Sequence, residues 1–186
     1  MTLYTCKTTT RTFSAKEVEE ISGVSGATQR DWRRRNFIGK IQGGGRAKFS
    51  LDDLIELTTV HALTSGGIPL PQAFDLASLA ILPVIANFAR WKDDVTVFAG
   101  DPISDEEKGR ALSGLVKGVS DDDNWLFAVI GSSQPIMGRT DDLRKLDGGM
   151  RGRPCAIVID LTGIAHIIAA AAPLPLITLE IENTEQ

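Results

Sequence analysis

A cluster of cationic side chains lies between residues 30 and 48, around the three consecutive glycines Gly43 to Gly45. Its seven members are Arg30, Arg33, Arg34, Arg35, Lys40, Arg46 and Lys48. Guanidinium and ammonium groups bind phosphate oxygens, and glycines let a backbone approach a ligand closely. The chemistry that this cluster predicts is therefore the binding of a polyanion, not a catalytic step.

The charge of the chain is distributed unevenly along its length. The net charge is −4, yet residues 1–50 carry ten Lys and Arg against four Asp and Glu, while residues 51–186 carry ten against twenty. A basic first part joined to an acidic remainder predicts that the first part alone contacts a polyanion and that the remainder is repelled by it. With 186 residues, 42% of them hydrophobic, the chain can build one or two ordinary globular domains.

Cap residues in the sequence predict two helices that would position this cluster. Ser14 and Glu17 have the spacing of a capping box, and Gly23 ends the helix that they begin. Ser25 caps a second helix that runs to about Arg35. Because only a glycine and a valine separate the two helices, they predict a helix-turn-helix.

The glycine run is predicted to be the tip of a β-hairpin, or wing. Apolar residues flank it on both sides and predict two short strands: Phe37, Ile38 and Ile41 before it, Ala47 and Phe49 after it. Ser50 caps a third helix, and a fourth begins at Pro71, bent or split at Pro83. A helix and a neighbouring hairpin can contact a DNA major groove and the adjacent backbone together.

The rest of the chain alternates strands with helices, which predicts a small α/β module. Strands are expected at 95–98, 125–130, 156–159 and 176–182, helices at 104–118 and after the cap residue Asp160, and a loop at 138–153. The fold class is therefore a mainly α, winged helix-turn-helix N-terminal domain followed by a small α/β C-terminal module. The expected divisions are a flexible arm at 1–12, the winged helix-turn-helix at 13–75, a connecting or dimerisation helix at 76–92 and the α/β module at 93–186.

Three stretches of this sequence carry a family resemblance: FSAKEVEEISGVSGATQRDWRRRNFIG (13–39), RAKFSLDDLIEL (46–57) and GIPLPQA (67–73). Together they resemble the DNA-binding domain of the mercury-resistance regulator (MerR) family, whose fold is similar to that of the smaller winged-helix excisionases. The resemblance covers about a third of the chain, roughly residues 12–75. It does not extend to the long coiled coil through which that family dimerises, because Pro83 and an α/β pattern follow instead.

The resemblance implies a role for several residues of the cluster. Arg30 would hold a phosphate, Ser25 and Thr28 would face the groove, and Arg46 and Lys48 would act from the wing. Trp32 would pack the second helix onto the core. Gln29 replaces a residue that is usually apolar in the family, so that it would alter either helix packing or a base contact, and it joins the candidate DNA-binding residues.

These observations predict a sequence-specific regulator of transcription that binds double-stranded DNA, as a homodimer on a repeated operator. Helix 70–91 and strand 176–181 are the candidate dimer surfaces, and the C-terminal module is a candidate site for another protein. Two alternatives stay open: an excisionase-like factor that bends DNA in a phage or mobile element, and a module whose basic face docks an acidic protein.

Other chemistry is not expected. His61, His166, Cys6 and Cys155 lack the spacing of metal ligands, and His61 is expected to be a hydrogen-bonded core histidine. No nucleophile lies near a base in sequence, so we expect neither an enzyme nor a cofactor. The apolar stretches 76–89 and 155–181 read as core and not as membrane spans. With two cysteines and no signal peptide apparent, a cytoplasmic location is expected.

Overall fold

The computed structural model describes residues 4–39, 47–91, 94–119, 124–129, 137–140 and 156–183. The helices are α1 (Ala15–Ser22), α2 (Gly26–Arg34), α3 (Leu51–Ser65), α4 (Leu70–Ala77), α5 (Ile81–Arg90), α6 (Asp105–Leu115) and α7 (Leu161–Ala171). The strands are β1 (Tyr4–Thr10), β2 (Phe13–Ser14), β3 (Lys48–Phe49), β4 (Thr96–Gly100), β5 (Trp125–Val129), β6 (Met137–Thr140), β7 (Ala156–Asp160) and β8 (Ile177–Asn183).

The predicted caps form as the sequence indicates. Ser14 accepts a hydrogen bond from the backbone of Glu17, whose carboxylate accepts one from the Ser14 backbone in return. Ser50 and Asp53 build the same capping box at α3. Gly23 ends α1 with φ of 74°, a left-handed conformation that favours glycine. These local bonds fix where each helix starts, and thereby the tight turn between α1 and α2.

The segment 70–90 is split, but not at the expected place. A short 3₁₀ turn, Ser78–Ala80, separates α4 from α5, so that Pro83 lies in the first turn of α5. Proline costs little there, because the first N–H groups of a helix have no partner within the helix. Leu70–Arg90 is long and apolar enough to cross a membrane by length and composition, with a mean hydropathy of 1.5, yet 61% of its most apolar stretch is buried inside the molecule. This burial fits a core segment.

The described strands form three small sheets. Their orders are β1-β8-β4, β2-β3 and β6-β5-β7. The expectation of a flexible arm at 1–12 is wrong for residues 4–10, because β1 pairs with β8 in antiparallel register, from Tyr4 opposite Asn183 to Thr10 opposite Ile177. The expected loop at 138–153 is wrong at its start, because β6 pairs with β5; residues 141–153 lie outside the described part of the chain.

Strand β8 alternates as predicted, but it cannot serve as a dimer edge. Ile177, Leu179 and Ile181 are buried, while Glu182 is exposed. On one side β8 pairs with β1 and on the other with β4, so that both of its backbone edges are occupied. The proposal that this strand pairs with its counterpart in a second copy is therefore corrected.

The elements that follow residue 93 share a core with those that precede it. Helix α7 packs against α1, α3 and α5. Side chains from both halves, among them Leu54, Phe88, Ile168 and Leu179, belong to one cluster of buried residues. The division of the chain at 75 and 92 stays a prediction. The C-terminal helix α7 packs against α1, the first helix of the helix-turn-helix.

Candidate nucleic-acid interface

Helix α2 is held in place through one face. Trp32 is 7% exposed and its ring meets that of Phe74 on α4 edge-on, with centroids 5.4 Å apart. Phe37, just after the helix, stacks on the same Phe74 ring at 5.2 Å. The three rings fix the C-terminal end of α2 on α4. The packing role that the resemblance implied for Trp32 agrees with this position.

Gln29 lies on the buried face beside Trp32, and its assignment as a DNA-contacting residue is wrong. Its side chain is 1% exposed, and its amide nitrogen donates to the carbonyl oxygens of Ala15, at 3.0 Å, and Val24, at 2.9 Å. These two bonds tie α2 to the start of α1 and to the turn between the helices. Burial of Gln29 in the place of an apolar residue thus serves helix packing.

The opposite face of α2 carries exposed cationic side chains. Arg30 and Arg34 are exposed and, with Ala27 and Asp31, they line a surface concavity of about 290 Å³. Arg34 also pairs with the carboxylate of Asp31 three residues before it. Because the helix periodicity places Arg30 and Arg34 on one side, their charges act on the same surface.

Two further arginines of the cluster turn towards the base of the predicted wing. Arg33 donates from its Nε to the Gly39 carbonyl oxygen at 3.1 Å, and its guanidinium lies 5.4 Å from the ring centroid of Phe49. The guanidinium of Arg35 lies 5.1 Å from the ring of Phe37. Such cation–π contacts stabilise the segment that leaves α2. Arg35 is exposed and its guanidinium also lies 3.7 Å from the Asp31 carboxylate, so that it stays beside Arg34 while it contacts Phe37.

The return strand of the predicted wing has an unexpected partner. β3 pairs with β2, which precedes α1, with Phe13 opposite Phe49 and Ser14 opposite Lys48. Residues 37–39 are not in a strand, so the expected pairing of 37–41 with 47–49 is corrected for these residues. Lys48 is exposed. The glycine tip, Lys40 and Arg46 lie outside the described residues.

The N-terminal end of α2 is capped by the side-chain hydroxyl of Ser25, which bonds to Thr28. Ser25 Oγ accepts a hydrogen bond from the Thr28 backbone at 3.1 Å and lies 2.9 Å from the Thr28 hydroxyl. Both side chains are half-buried. That they face a DNA groove remains a prediction.

A carboxylate that sequence analysis missed lies at the same end. Glu19 Oε2 accepts a hydrogen bond from the Gly26 backbone N–H, the first of α2, at 3.0 Å. Arg30 is close as well, since a Cβ on Gly26 would lie 3.3 Å from Glu19 Oε2 and 3.5 Å from an Arg30 guanidinium nitrogen. Glu19 and Gly26 are seven positions apart, a spacing that matches no capping pattern, and only the geometry of the turn brings them together.

Acidic groups on α3 have shifted proton affinities. Burial, and after it the neighbouring charges of Asp53 and Asp52, raises the pKa of Glu56 above its ordinary value. Burial and Asp53 likewise raise the pKa of Asp52. In contrast, hydrogen bonds from Ser14 hold the pKa of Glu17 below its ordinary value. None of these groups is part of the cationic surface.

Among the described residues, the two histidines and Cys6 lie on different elements and form no metal-binding group. His61 is exposed and its ring lies against Gly23, so the expectation of a core histidine is wrong. Leu54 and Leu57 on the same helix are buried, whereas His61 lies beside the turn between α1 and α2. His166 is exposed and stacks on Trp91 at 4.1 Å. Cys6 is exposed on β1, and Cys155 lies outside the described residues.

A tight two-helix turn with its second helix bound by one face and cationic on the other defines a helix-turn-helix DNA-binding domain. Residues 13–78 match the family model described as MerR HTH family regulatory protein. The N-terminal part of this chain is therefore a MerR-like helix-turn-helix domain, as the resemblance implied. No curated protein matches the chain.

Proposed function

We propose that this protein is a sequence-specific regulator of transcription that places α2 in the major groove of double-stranded DNA. The observation that carries the proposal is the division of α2 into two faces. Gln29 and Trp32 hold one face to the core, and Arg30 and Arg34 project from the other into open solvent. A recognition helix needs both properties, because its cationic side must be presented at a fixed orientation.

The four arginines between residues 30 and 35 then have two tasks. Arg30 and Arg34 contact phosphates, which sets affinity with little dependence on sequence. Arg33 and Arg35 brace the segment after α2 against Phe49 and Phe37. Lys40, Arg46 and Lys48, in the stretch that the sequence predicts to be a wing, are expected to add phosphate contacts on the neighbouring DNA backbone. Ser25 and Thr28 are expected to face the groove, because helix-turn-helix proteins read base edges from the N-terminal end of the recognition helix.

A homodimer is part of the proposal. One small helix-turn-helix contacts few base pairs, whereas two copies related by a two-fold axis read two half-sites, spaced by about 34 Å or a multiple of it. Helix segment 70–91, the other candidate dimer surface, exposes two large apolar side chains, those of Leu79 and Leu82. The acidic remainder of each copy is repelled by DNA and keeps the basic surfaces facing the duplex.

The excisionase-like alternative differs in the arrangement of its sites. An architectural factor would occupy tandem direct repeats and bend them strongly, away from promoters. A homodimeric regulator would occupy an inverted repeat at a promoter. A protein-docking module would show no preference among DNA sequences.

Selection of bound sequences from a random duplex pool tests the proposal. We expect an enriched inverted repeat, and footprints on it that cover two half-sites. Enrichment of direct repeats would transfer the assignment to the architectural factor, and the absence of any enriched sequence would contradict both DNA-binding assignments. A matched selection with the double variant Arg30→Ala, Arg34→Ala should enrich the same repeat, but more weakly, because phosphate contacts contribute to the binding of all sequences alike.

A further inference from the structure

Strand β1 is an edge strand that stands away from the core. It is the outer strand of the sheet β1-β8-β4, and every residue from Thr5 to Thr9 is exposed. The side chain of Tyr4 reaches back to α6, where its hydroxyl donates to the carbonyl oxygen of Glu107 at 3.2 Å. The strand is thus anchored at one end and along β8, while its other long edge has no strand beside it among the described residues.

The backbone groups on that outer edge can be assigned. Ile177 N–H donates to Val95 and Asp101 N–H donates to Ile181, so that the odd-numbered residues of β8 face β4. Thr178, Glu180 and Glu182 therefore face β1, where they lie opposite Thr9, Lys7 and Thr5. In an antiparallel ladder the alternate residues point away from the partner. The outward N–H and C=O groups on β1 accordingly belong to Tyr4, Cys6, Thr8 and Thr10.

This edge lacks the features that keep edge strands from pairing. Its sequence, YTCKTTT, has no proline and a single charged residue, Lys7. The Lys7 ammonium lies 3.6 Å from the Glu180 carboxylate on the neighbouring strand, which offsets its charge. Four of the seven residues are threonine, which favours strands and forms favourable cross-strand pairs.

We propose that two copies of this chain pair through β1, antiparallel about a two-fold axis at Thr8, into one six-stranded sheet. Only registers that join outward-facing residues can form hydrogen bonds. A register centred on Lys7 would set the two Lys7 side chains directly opposite each other, which is unfavourable. The register centred on Thr8 instead sets Lys7 opposite Thr9 and Cys6 opposite Thr10. This inference rests on the proposed homodimer and supplies the surface that β8 cannot provide.

Sedimentation equilibrium of the full chain, compared with the variant Thr8→Pro, tests the pairing. Proline removes the outward N–H of Thr8 but none of the bonds from β1 to β8, and Thr8→Ala is the matched control that keeps this N–H. We expect a species of twice the 20.0 kDa chain mass for the wild type and for Thr8→Ala, and a monomer for Thr8→Pro. A wild-type monomer, or a Thr8→Pro dimer, would overturn the proposal.

Disulfide trapping tests the register without depending on the folding of the proline variant. In a Cys155→Ala background, Thr10→Cys sets a new thiol opposite Cys6 of the second copy, at a Cα separation of about 5.5 Å that a disulfide spans. We expect covalent dimers on mild oxidation of this variant and none with Cys6 alone. Crosslinking through Cys6 alone, or none in either protein, would overturn this register.

DNA binding separates this inference from the proposed function. Thr8→Pro should bind a duplex with a single selected half-site as tightly as wild type, and lose its advantage on the full repeat. A wild-type dimer that has the predicted crosslink but binds no duplex would contradict the proposed function and leave the β1 pairing intact. A full-site advantage that survives in Thr8→Pro would count against pairing through β1.

Discussion

Helices α2 and α6 are both exposed on one side, but they are attached to the molecule in different ways. α2 buries Gln29 and Trp32, and its outer face carries Arg30 and Arg34. α6 has no fully buried residue, and its first turn carries Asp105, Glu106 and Glu107. Of these two helices, only α2 combines a buried face with a cationic exposed face. A charged surface helix is suited to recognition when its opposite face is packed, because the packing fixes where the charge is held.

The largest expected difference between these helices is in stability. Trp32→Ala should lower the free energy of unfolding by about 3–5 kcal/mol, because it removes a buried ring that contacts Phe74. Leu112→Ala on α6, at a half-buried position, should cost clearly less. Urea unfolding of both variants measures the difference. Equal losses would contradict the view that α2 is the more firmly held helix.

Gln29→Ala is expected to be the next largest change. It leaves the carbonyl oxygens of Ala15 and Val24 without their donor, at a cost of about 1–3 kcal/mol in unfolding free energy. Its effect on DNA affinity should follow from loss of fold and disappear at low temperature, where the domain stays folded. A loss of affinity or of preference at one base pair in the fully folded variant would restore Gln29 as a base-reading residue.

Glu19→Gln should change DNA binding in the opposite direction. The amide oxygen can still accept the Gly26 N–H, while the negative charge beside Arg30 and the start of α2 is removed. We expect binding to all duplexes to tighten a few-fold, equivalent to about 0.5–1 kcal/mol. Glu20→Gln, on the same helix and paired with Lys16 at 3.5 Å, is the matched control and should have a smaller effect. Fluorescence anisotropy measures both, and equal tightening would refute a specific role for Glu19.

The smallest effect concerns pH and α3. Because the pKa of Glu56 is raised in the folded state, the folded protein holds this proton more readily than the unfolded chain does. The unfavourable contribution of its charge is therefore present above the folded pKa and is relieved as pH falls towards the ordinary value of 4.5. Glu56→Gln should raise the melting temperature slightly at pH 7, and this gain should shrink as pH approaches 4.5. A gain that grows on acidification would contradict this sign.

The parts of the fold that sequence predicts are those fixed by neighbours along the chain. Ser14 and Ser50 each bond a residue three positions away, and Gly23 ends a helix through its own backbone conformation. The pairing of β1 with β8 joins residues more than 160 positions apart, and the sequence YTCKTTT alone does not indicate which strand it pairs with. β-Pairing of this kind depends on the rest of the core, which is why residues 4–10 read as a loose arm.

The candidate site was predictable in composition but not in arrangement. The sequence placed Arg30 and Arg34 in the cationic cluster, together with Arg33 and Arg35. It could not show that Arg33 bonds the carbonyl of Gly39 and lies over Phe49, or that Gln29 is buried, because both depend on contacts with other elements. Glu19 was missed for the same reason.

The central claim is that the outer face of α2 binds DNA phosphates. The most direct measurement is the salt dependence of affinity for a selected duplex, from about 50 to about 200 mM, for wild type, for Arg30→Ala, Arg34→Ala and for the control Arg110→Ala on α6. We predict that the double variant binds about 10–100-fold more weakly, with a log–log salt slope shallower by about 2, and that Arg110→Ala matches wild type. Unchanged affinity and slope in the double variant would contradict the claim.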